Sequence, residues 1–323
     1  MKNPWKQINI PSNDVSALRA NADHPLDLFW AKDHLGRYLF IYEYPTDSEV
    51  LIKDPPDLAG IETISMSTGN SNTRLVLILK DKANWELFFA LCNDLQIATL
   101  KINAVNTASA LILHRLRRWQ GFLKTVRLDI LPEEQIKGLI GELLFLQNHL
   151  VPKFGYTDAV KFWSGPEGSP QDFYINKSAI EVKCQLGGTK PSIKISSVDQ
   201  LYSQLPELFL FVVTLGKSTD NDTDSVNLPG LIANITLALE HESSTSLIRF
   251  QDLLMEAGFY FSEKYLDYNY LLLNEQAYYV CEDFPRINPE ELKSGIIRLT
   301  YNISLSECTP FEIEINNWDL GND

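Results

Sequence analysis

The apolar positions of the first 80 residues come in short runs of strand length. Residues 28–31 and 37–42 flank Lys32-Asp33-His34-Leu35-Gly36, a turn with glycine at its end, and predict a hairpin. Residues 74–79 predict another strand, and Trp85 opens a helix running to about Ile97. The rhythm then becomes helical. Ala108, Leu111, Ile112, Leu116, Trp119 and Phe122 predict a helix over 106–125. Ile136, Leu139, Ile140, Leu143, Leu144 and Leu150 form a second stripe, opened by Pro132, Glu133 and Glu134 as helix N-termini favour. Strands follow: one within 156–163, then 172–175 and 178–181, separated only by Asn176 and Lys177. Asparagine tolerates positive φ, so a two-residue hairpin turn fits there. A Ser197/Gln200 capping box sets a helix start, and the continuous apolar run 208–215 reads as a strand buried on both faces. The order of elements from 131 to 216 is αβββαβ. Polar residues 217–225 mark a boundary; helices are expected at 228–242 and 246–257, and strands at 268–273, 277–281 and 296–304. The expected organisation is an α/β chain, α+β overall. It comprises a strand-rich domain over 1–105, a linking helix over 106–130, a core over 131–216 and a mixed region over 217–323.

Chemistry concentrates between Gly138 and Lys183. Residues two apart in a strand share a face, so Glu181 and Lys183 point one way while Ile180, Val182 and Cys184 point the other. In the two-residue hairpin Ile175 pairs with Ser178, and Asp172 falls opposite Glu181 with Cβ atoms about 4.5–5.5 Å apart. Carboxylates that close repel unless a cation sits between them, and Mg²⁺ takes such oxygen ligands. Glu142 borders the second helical stripe, with Gly138 one turn earlier leaving room for an approach; an exposed glutamate on an amphipathic helix gives the same pattern. Gln185 continues the Glu181–Lys183 face and is placed to meet a phosphate or the attacking water. His149, two turns beyond Glu142 on roughly the same face, reads as a surface histidine, with a ligand role the other reading.

Several segments together resemble the PD-(D/E)XK nuclease superfamily, and more closely a bacterial family described only as PD-(D/E)XK members. They are residues 138–143, Trp163-Ser164-Gly165-Pro166, Asp172-Phe173, residues 180–183, residues 195–201 and Phe284-Pro285-Arg286. Gln171 stands where that signature has proline. The resemblance implies a restriction-endonuclease-like αβββαβ core. It implies metal held by Asp172, Glu181, Glu142 and the Val182 carbonyl, and water oriented by Lys183. The activity implied is that of an Mg²⁺- or Mn²⁺-dependent DNA endonuclease, in a bacterial restriction or phage-defence setting. The alternative is a non-catalytic subunit that uses the same fold to bind DNA or partner proteins. Paired Glu142 and Glu181 would also suit glycoside hydrolysis, but no aromatic sugar platform is evident.

Composition narrows the rest. The 323 residues, 45% hydrophobic and 22% charged, are those of a globular protein. No membrane-spanning stretch or apolar leader stands out, and four scattered cysteines fit reduced thiols in a cytoplasm. The net charge of −14 argues against a nucleic-acid partner until its distribution is read. Residues 101–160 carry +3 whereas residues 217–323 carry −13. Arg115, Arg117, Arg118, Lys124 and Arg127, with no acid between Lys101 and Leu128, make the linking helix a candidate for DNA phosphate contact; a solvated helix face is the other reading. Ser196, Ser197 and Gln200 are candidates for a further phosphate contact at a helix N-terminus. The acidic region suits a partner or serves only to keep the protein in solution; the resemblance implies that other defence-system proteins would be the partners, through the N-terminal or the acidic C-terminal region, and a homodimer is compatible with the sequence.

Overall fold

The structure, a computed structural model, describes residues 2–48, 52–68, 71–125, 130–188, 191–218, 222, 224–315, 318 and 320. The chain divides into two compact units, Met1–Ile130 with Tyr260–Glu263, and Leu131–Phe259 with Lys264–Asp323.

The first unit is built on a five-stranded antiparallel sheet, in the order β1 (Val15–Arg19), β2 (Asp27–Asp33), β3 (Tyr38–Pro45), β5 (Asn72–Leu79) and β4 (Ile61–Ser67). The expected hairpin is the β2–β3 pair. Helices α1 (Trp85–Thr99) and α2 (Val105–Thr125) pack on each other. A buried polar knot joins them. Asp94 on α1 accepts from Arg115 Nε at 3.0 Å, from Arg115 Nη2, and from Trp119 Nε1 at 2.8 Å. Arg115 is 3% exposed, so its guanidinium is spent on this ion pair and not on a phosphate. Arg117 and Lys124 are exposed and Arg118 half-buried, whereas Arg127 lies outside the described residues.

The second unit carries a five-stranded mixed sheet, ordered β12 (Glu312–Ile313), β10 (Tyr270–Tyr279), β9 (Glu207–Lys217), β7 (Ser178–Leu186) and β6 (Phe173–Ile175). β7 and β9 are parallel; the other neighbours are antiparallel. Helix α3 (Glu133–Phe145) lies against β7, with its predicted stripe buried. Gly141 permits that approach, because a Cβ there would stand 3.3 Å from Cys184 Cβ and 3.6 Å from Val182 Cγ1. The opposite side of the sheet is covered by a two-stranded ribbon, β8 (Ser192–Ile195) with β11 (Tyr301–Ser304). Its Ile193, Ile195 and Ile303 join Ala179, Leu210 and Val212 in one core. Helices α5 (Leu228–Glu242) and α6 (Ser244–Glu256) pack together, and α5 also meets α3. Short α7 (Leu305–Cys308) follows β11.

Several expectations change. Residues 156–163 do not form a core strand; after a π-helical turn (Leu146–Leu150) they belong to α4 (Val151–Phe162). Gly155, at φ 76°, breaks that helix, and Ala159, Val160 and Trp163 bury at helical spacing. What remains of the strand is one bridge, Trp163 to Phe173. The helix expected from Ser197 is a 3-10 turn, Val198–Leu201. The two strands expected at 268–281 are the single β10, bulged between Leu272 and Asn274, and of 296–304 only Tyr301–Ser304 is paired. Residues 219–221 and 223 of the polar stretch, and 189–190, lie outside the described residues. The chain does not change compact unit at 217: β10 and β12 extend the sheet that contains β7.

Candidate active site

The β6–β7 hairpin sets the site's geometry. Asn176 takes φ 50° in the two-residue turn, and the register is Ile175 with Ser178, Tyr174 with Ala179 and Phe173 with Ile180. This is the predicted register. It carries on one residue further, where Asp172 N donates to Ile180 O at 3.1 Å. The Asp172 carboxylate then turns back to the strand and accepts from Val182 N at 2.8 Å through Oδ2.

Glu181 is 1% exposed. Its Oε1 is paired with Lys183 Nζ, while its Oε2 is buried and, among the described residues, takes no hydrogen bond. Both side chains project from the face of β7 whose neighbours on β9 are Leu210 and Val212. Gln185 follows on that face; its Nε2 donates to Thr214 Oγ1 at 3.1 Å, and its buried Oε1 has no hydrogen-bond partner among the described residues. Glu142 reaches in from α3, and its Oε2 accepts from Trp163 Nε1 at 2.7 Å.

The charges of these groups act on one another. Burial raises the Glu142 carboxyl, the charge of Asp172 adds to it, and together they bring it to about 8 despite Trp163 and Lys183. Burial also raises Asp172, against the pull of Lys183 and the Val182 N–H. Glu181 is pushed well above its ordinary range by burial and then by Asp172, with Glu142 contributing. Burial alone would lower Lys183, but Glu181, Asp172 and Glu142 outweigh it and hold the ammonium charged. Three carboxyl groups that resist ionisation because of burial, Glu142 and Glu181 also because of neighbouring carboxylates, share one cation, a site with excess demand for positive charge.

The residues that frame this cluster carried no legible role in the sequence. Trp163, fully buried, supplies the donor to Glu142. Ser164 N and Gly165 N both donate to Asp172 O, at 2.8 and 3.0 Å. A Cβ on Gly165 would lie 2.6 Å from Asp172 Oδ1, so only glycine leaves that carboxylate where it is. Gln171, where the resembled signature has proline, is a clamp. Its Nε2 donates to the carbonyls of Asp199, Gln200 and Tyr202 at 2.5–3.1 Å, and Tyr174 donates to its Oε1. Arg286 holds the same turn through Leu201 O at 2.6 Å. The only signal for these roles was the Trp-Ser-Gly-Pro string and the Phe-Pro-Arg string, whose partners are distant in sequence.

The remaining candidates stand elsewhere or are engaged. Ser196 N donates to Gln200 Oε1 at 2.8 Å, and Ser197 Oγ donates to Asp199 Oδ2 at 2.8 Å, so this turn is internally capped. His149 is half-buried against Phe145 and Phe211, with Nε2 3.2 Å from Glu275, and is not the surface histidine expected.

Beside the cluster lies a pocket of about 390 Å³, lined by Gln135, Gly138, Glu142, Gly165, Pro166 and Asp172 among others. Gly138 opens onto free space there. Among the described residues no group of three or more His, Cys, Asp or Glu side chains is placed to hold a metal ion as it stands. The fit to a cation rests on the donor set itself. Hard carboxylate oxygens suit Mg²⁺ or Mn²⁺, and Glu181 Oε2 is a buried acceptor with no donor among the described residues. Among the described residues no helix is long and apolar enough to cross a membrane.

One family model, with the description "Putative PD-(D/E)XK family member, (DUF4420)", matches residues 1–306. No curated protein matches the chain, and no solved structure does.

Proposed function

The chain belongs to the PD-(D/E)XK family whose model spans residues 1–306, with the nuclease-like fold of that family, and on that premise we propose that it is a metal-dependent endonuclease hydrolysing phosphodiester bonds in DNA. The observation that carries the reading is the buried set itself: Asp172 tied to Val182 N, Glu181 paired with Lys183 but with its Oε2 buried and without a hydrogen bond among the described residues, and Glu142 held by Trp163. A structural ion pair needs one acid for one base; the surplus acids favour a second cation.

Asp172 and Glu181, with the Val182 carbonyl and Glu142, would hold Mg²⁺ or Mn²⁺. When bound, the ion lowers the pKa of a water and offsets charge on the phosphate. The chain's own groups have separable tasks. The Val182 N–H fixes one oxygen of Asp172, and Gly165 leaves space for the other. Trp163 fixes one oxygen of Glu142. Lys183, held by Glu181, is a cation for the attacking water and for the negative charge that grows on the phosphate oxygens. The pocket bounded by Gly138, Gly165 and Pro166 is the space for the scissile nucleotide. A setting in restriction or phage defence is part of the same proposal and rests on the family alone.

Supercoiled plasmid incubated with Mg²⁺ or Mn²⁺, and again with EDTA, tests the reading. Nicking or linearisation that needs the ion supports it. Absence of cleavage of any nucleic acid with either ion leaves the fold as a non-catalytic scaffold.

A further inference from the structure

The chain reaches Asp172 through Pro170 and Gln171, and the Gln171 side chain is what holds it there. Gln171 is 2% exposed. Among the described residues its hydrogen bonds are all made by the side-chain amide and none by its backbone. Nε2 donates to Asp199 O at 2.5 Å, to Gln200 O at 3.1 Å and to Tyr202 O at 3.1 Å, and Oε1 accepts from the Tyr174 hydroxyl at 2.9 Å. An amide offers two N–H donors and one carbonyl, so these four partners use all of it. The chemistry admits no near substitute. Glutamate, of the same shape, turns oxygen toward three carbonyls, and methionine leaves them without a donor.

The amide grips something fixed. Leu201 is fully buried in the core beneath the β8–β11 ribbon, and its carbonyl accepts from Arg286 Nη1 at 2.6 Å. Ser196 N donates to Gln200 Oε1 at 2.8 Å, and Asp199 N donates to Ser197 Oγ at 3.2 Å. What the amide holds in place is the next residue. Asp172 N is bonded to Ile180 O, Asp172 O to Ser164 N and Gly165 N, and Oδ2 to Val182 N. Those bonds fix Asp172 toward the hairpin and toward the 164–165 loop; the Gln171 amide fixes the side from which the chain arrives. Proline, which the resembled signature has here, sets its own φ near −65° by its ring. In this chain hydrogen bonds to a buried turn secure the same segment. A carboxylate that is to hold a divalent ion must stand within about 0.5 Å of its productive position, and groups that orient metal ligands from behind are worth about 10–100-fold in affinity.

We propose that Gln171 is a positioning residue of the ion site: its amide ties the chain at Asp172 to the turn at 198–202 and so sets where the Asp172 carboxylate stands. The assignment deepens the nuclease reading and rests on it.

The test compares the full chain with its Gln171→Met, Gln171→Glu and Tyr174→Phe variants. Free Mn²⁺ is followed by electron paramagnetic resonance as each protein is titrated without DNA, at a temperature where circular dichroism shows it folded. Gln171→Met should weaken Mn²⁺ binding by about 10–100-fold and Gln171→Glu by at least as much. Tyr174→Phe removes only the hydroxyl at the other end of the amide and should weaken it by about 2–10-fold, the scale of one neutral hydrogen bond. The Mg²⁺ concentration that gives half-maximal plasmid cleavage should rise by the same factors. A residue that only supports the turn would lower the thermal midpoint in EDTA and leave the Mn²⁺ affinity of the folded protein alone; that result overturns the assignment while the nuclease reading stands. Where the Gln171 variants do not fold, Tyr174→Phe decides, and an unchanged Mn²⁺ affinity in that variant overturns the assignment. If the wild type neither binds Mn²⁺ nor cuts any nucleic acid, the nuclease reading fails and takes the positioning assignment with it.

Discussion

Gly165 shows how much of this site depends on a side chain that is not there. A methyl group 2.6 Å from Asp172 Oδ1 must displace the carboxylate, because the Asp172 backbone is tied to Ser164 N and Gly165 N. Gly165→Ala is therefore expected to lower plasmid cleavage by about 10²-fold, the scale of a 1 Å misplacement of a reacting group, with the thermal midpoint nearly unchanged. Cleavage at the wild-type rate would show that Asp172 does not hold the ion. Glu142 gives the pH-dependent counterpart. Its folded pKa, about 8, lies above its ordinary value of 4.5, so the folded state binds the extra proton between those values. Stability of the metal-free protein should then fall as pH rises from about 4.5 through about 8, because ionisation favours the unfolded chain there. Asp33 and Glu43 are shifted the other way, below their ordinary ranges, so what they contribute is lost only in more acidic solution. Melting in EDTA at pH 5 and pH 8 should show the decline, Glu142→Gln should flatten it, and Mn²⁺ should raise the midpoint more at pH 8. Equal midpoints at both pH values would contradict the assigned burial.

Among the elements, the β6–β7 hairpin was legible because its turn chemistry is local. Asn176 and Lys177 fix the register within the turn itself, and strand alternation carries it to Asp172 and Glu181. The α3 stripe was legible for the same reason. Helix α4 was not, because Tyr156, Ala159, Val160, Phe162 and Trp163 fit a short strand as well as a helix, and tertiary packing decides. Nor was β10's place in the sheet that bears the candidate site, since its partner on β9 is more than fifty residues away. Helix α2 shows the limit of reading charge from sequence. Its apolar face was readable; that Arg115 turns inward was not, because Asp94 lies on another helix. Arg115→Ala should cost about 3–5 kcal/mol in denaturant unfolding by leaving Asp94 buried and unpaired, with no change in the salt slope of DNA binding. Arg117→Ala with Lys124→Ala should do the reverse: little change in stability, and a slope lower by about 2 if that exposed face meets phosphate. An unchanged slope would leave α2 a packing element alone.

For the molecule as a whole, the family match spans residues of both compact units, so the strand-rich first unit is part of what the family shares. The acidic last third is not an appendage to the core, because it supplies β10 and β12 to the sheet that bears the site and β11 to the ribbon packed on that sheet. Net charge of −14 and a role in phosphate chemistry are compatible when the cations are placed where the substrate lies. The central claim is that Asp172 and Lys183 belong to one reaction centre with different tasks. Plasmid cleavage in Mg²⁺ by the wild type, Asp172→Ala and Lys183→Ala, measured side by side, tests it most directly. The account predicts ion-dependent cleavage by the wild type, none by Asp172→Ala even in excess ion, and a loss of about 10²–10³-fold in Lys183→Ala, the range for removing one electrostatic stabiliser. Cleavage by the Lys183→Ala protein at the wild-type rate would contradict it.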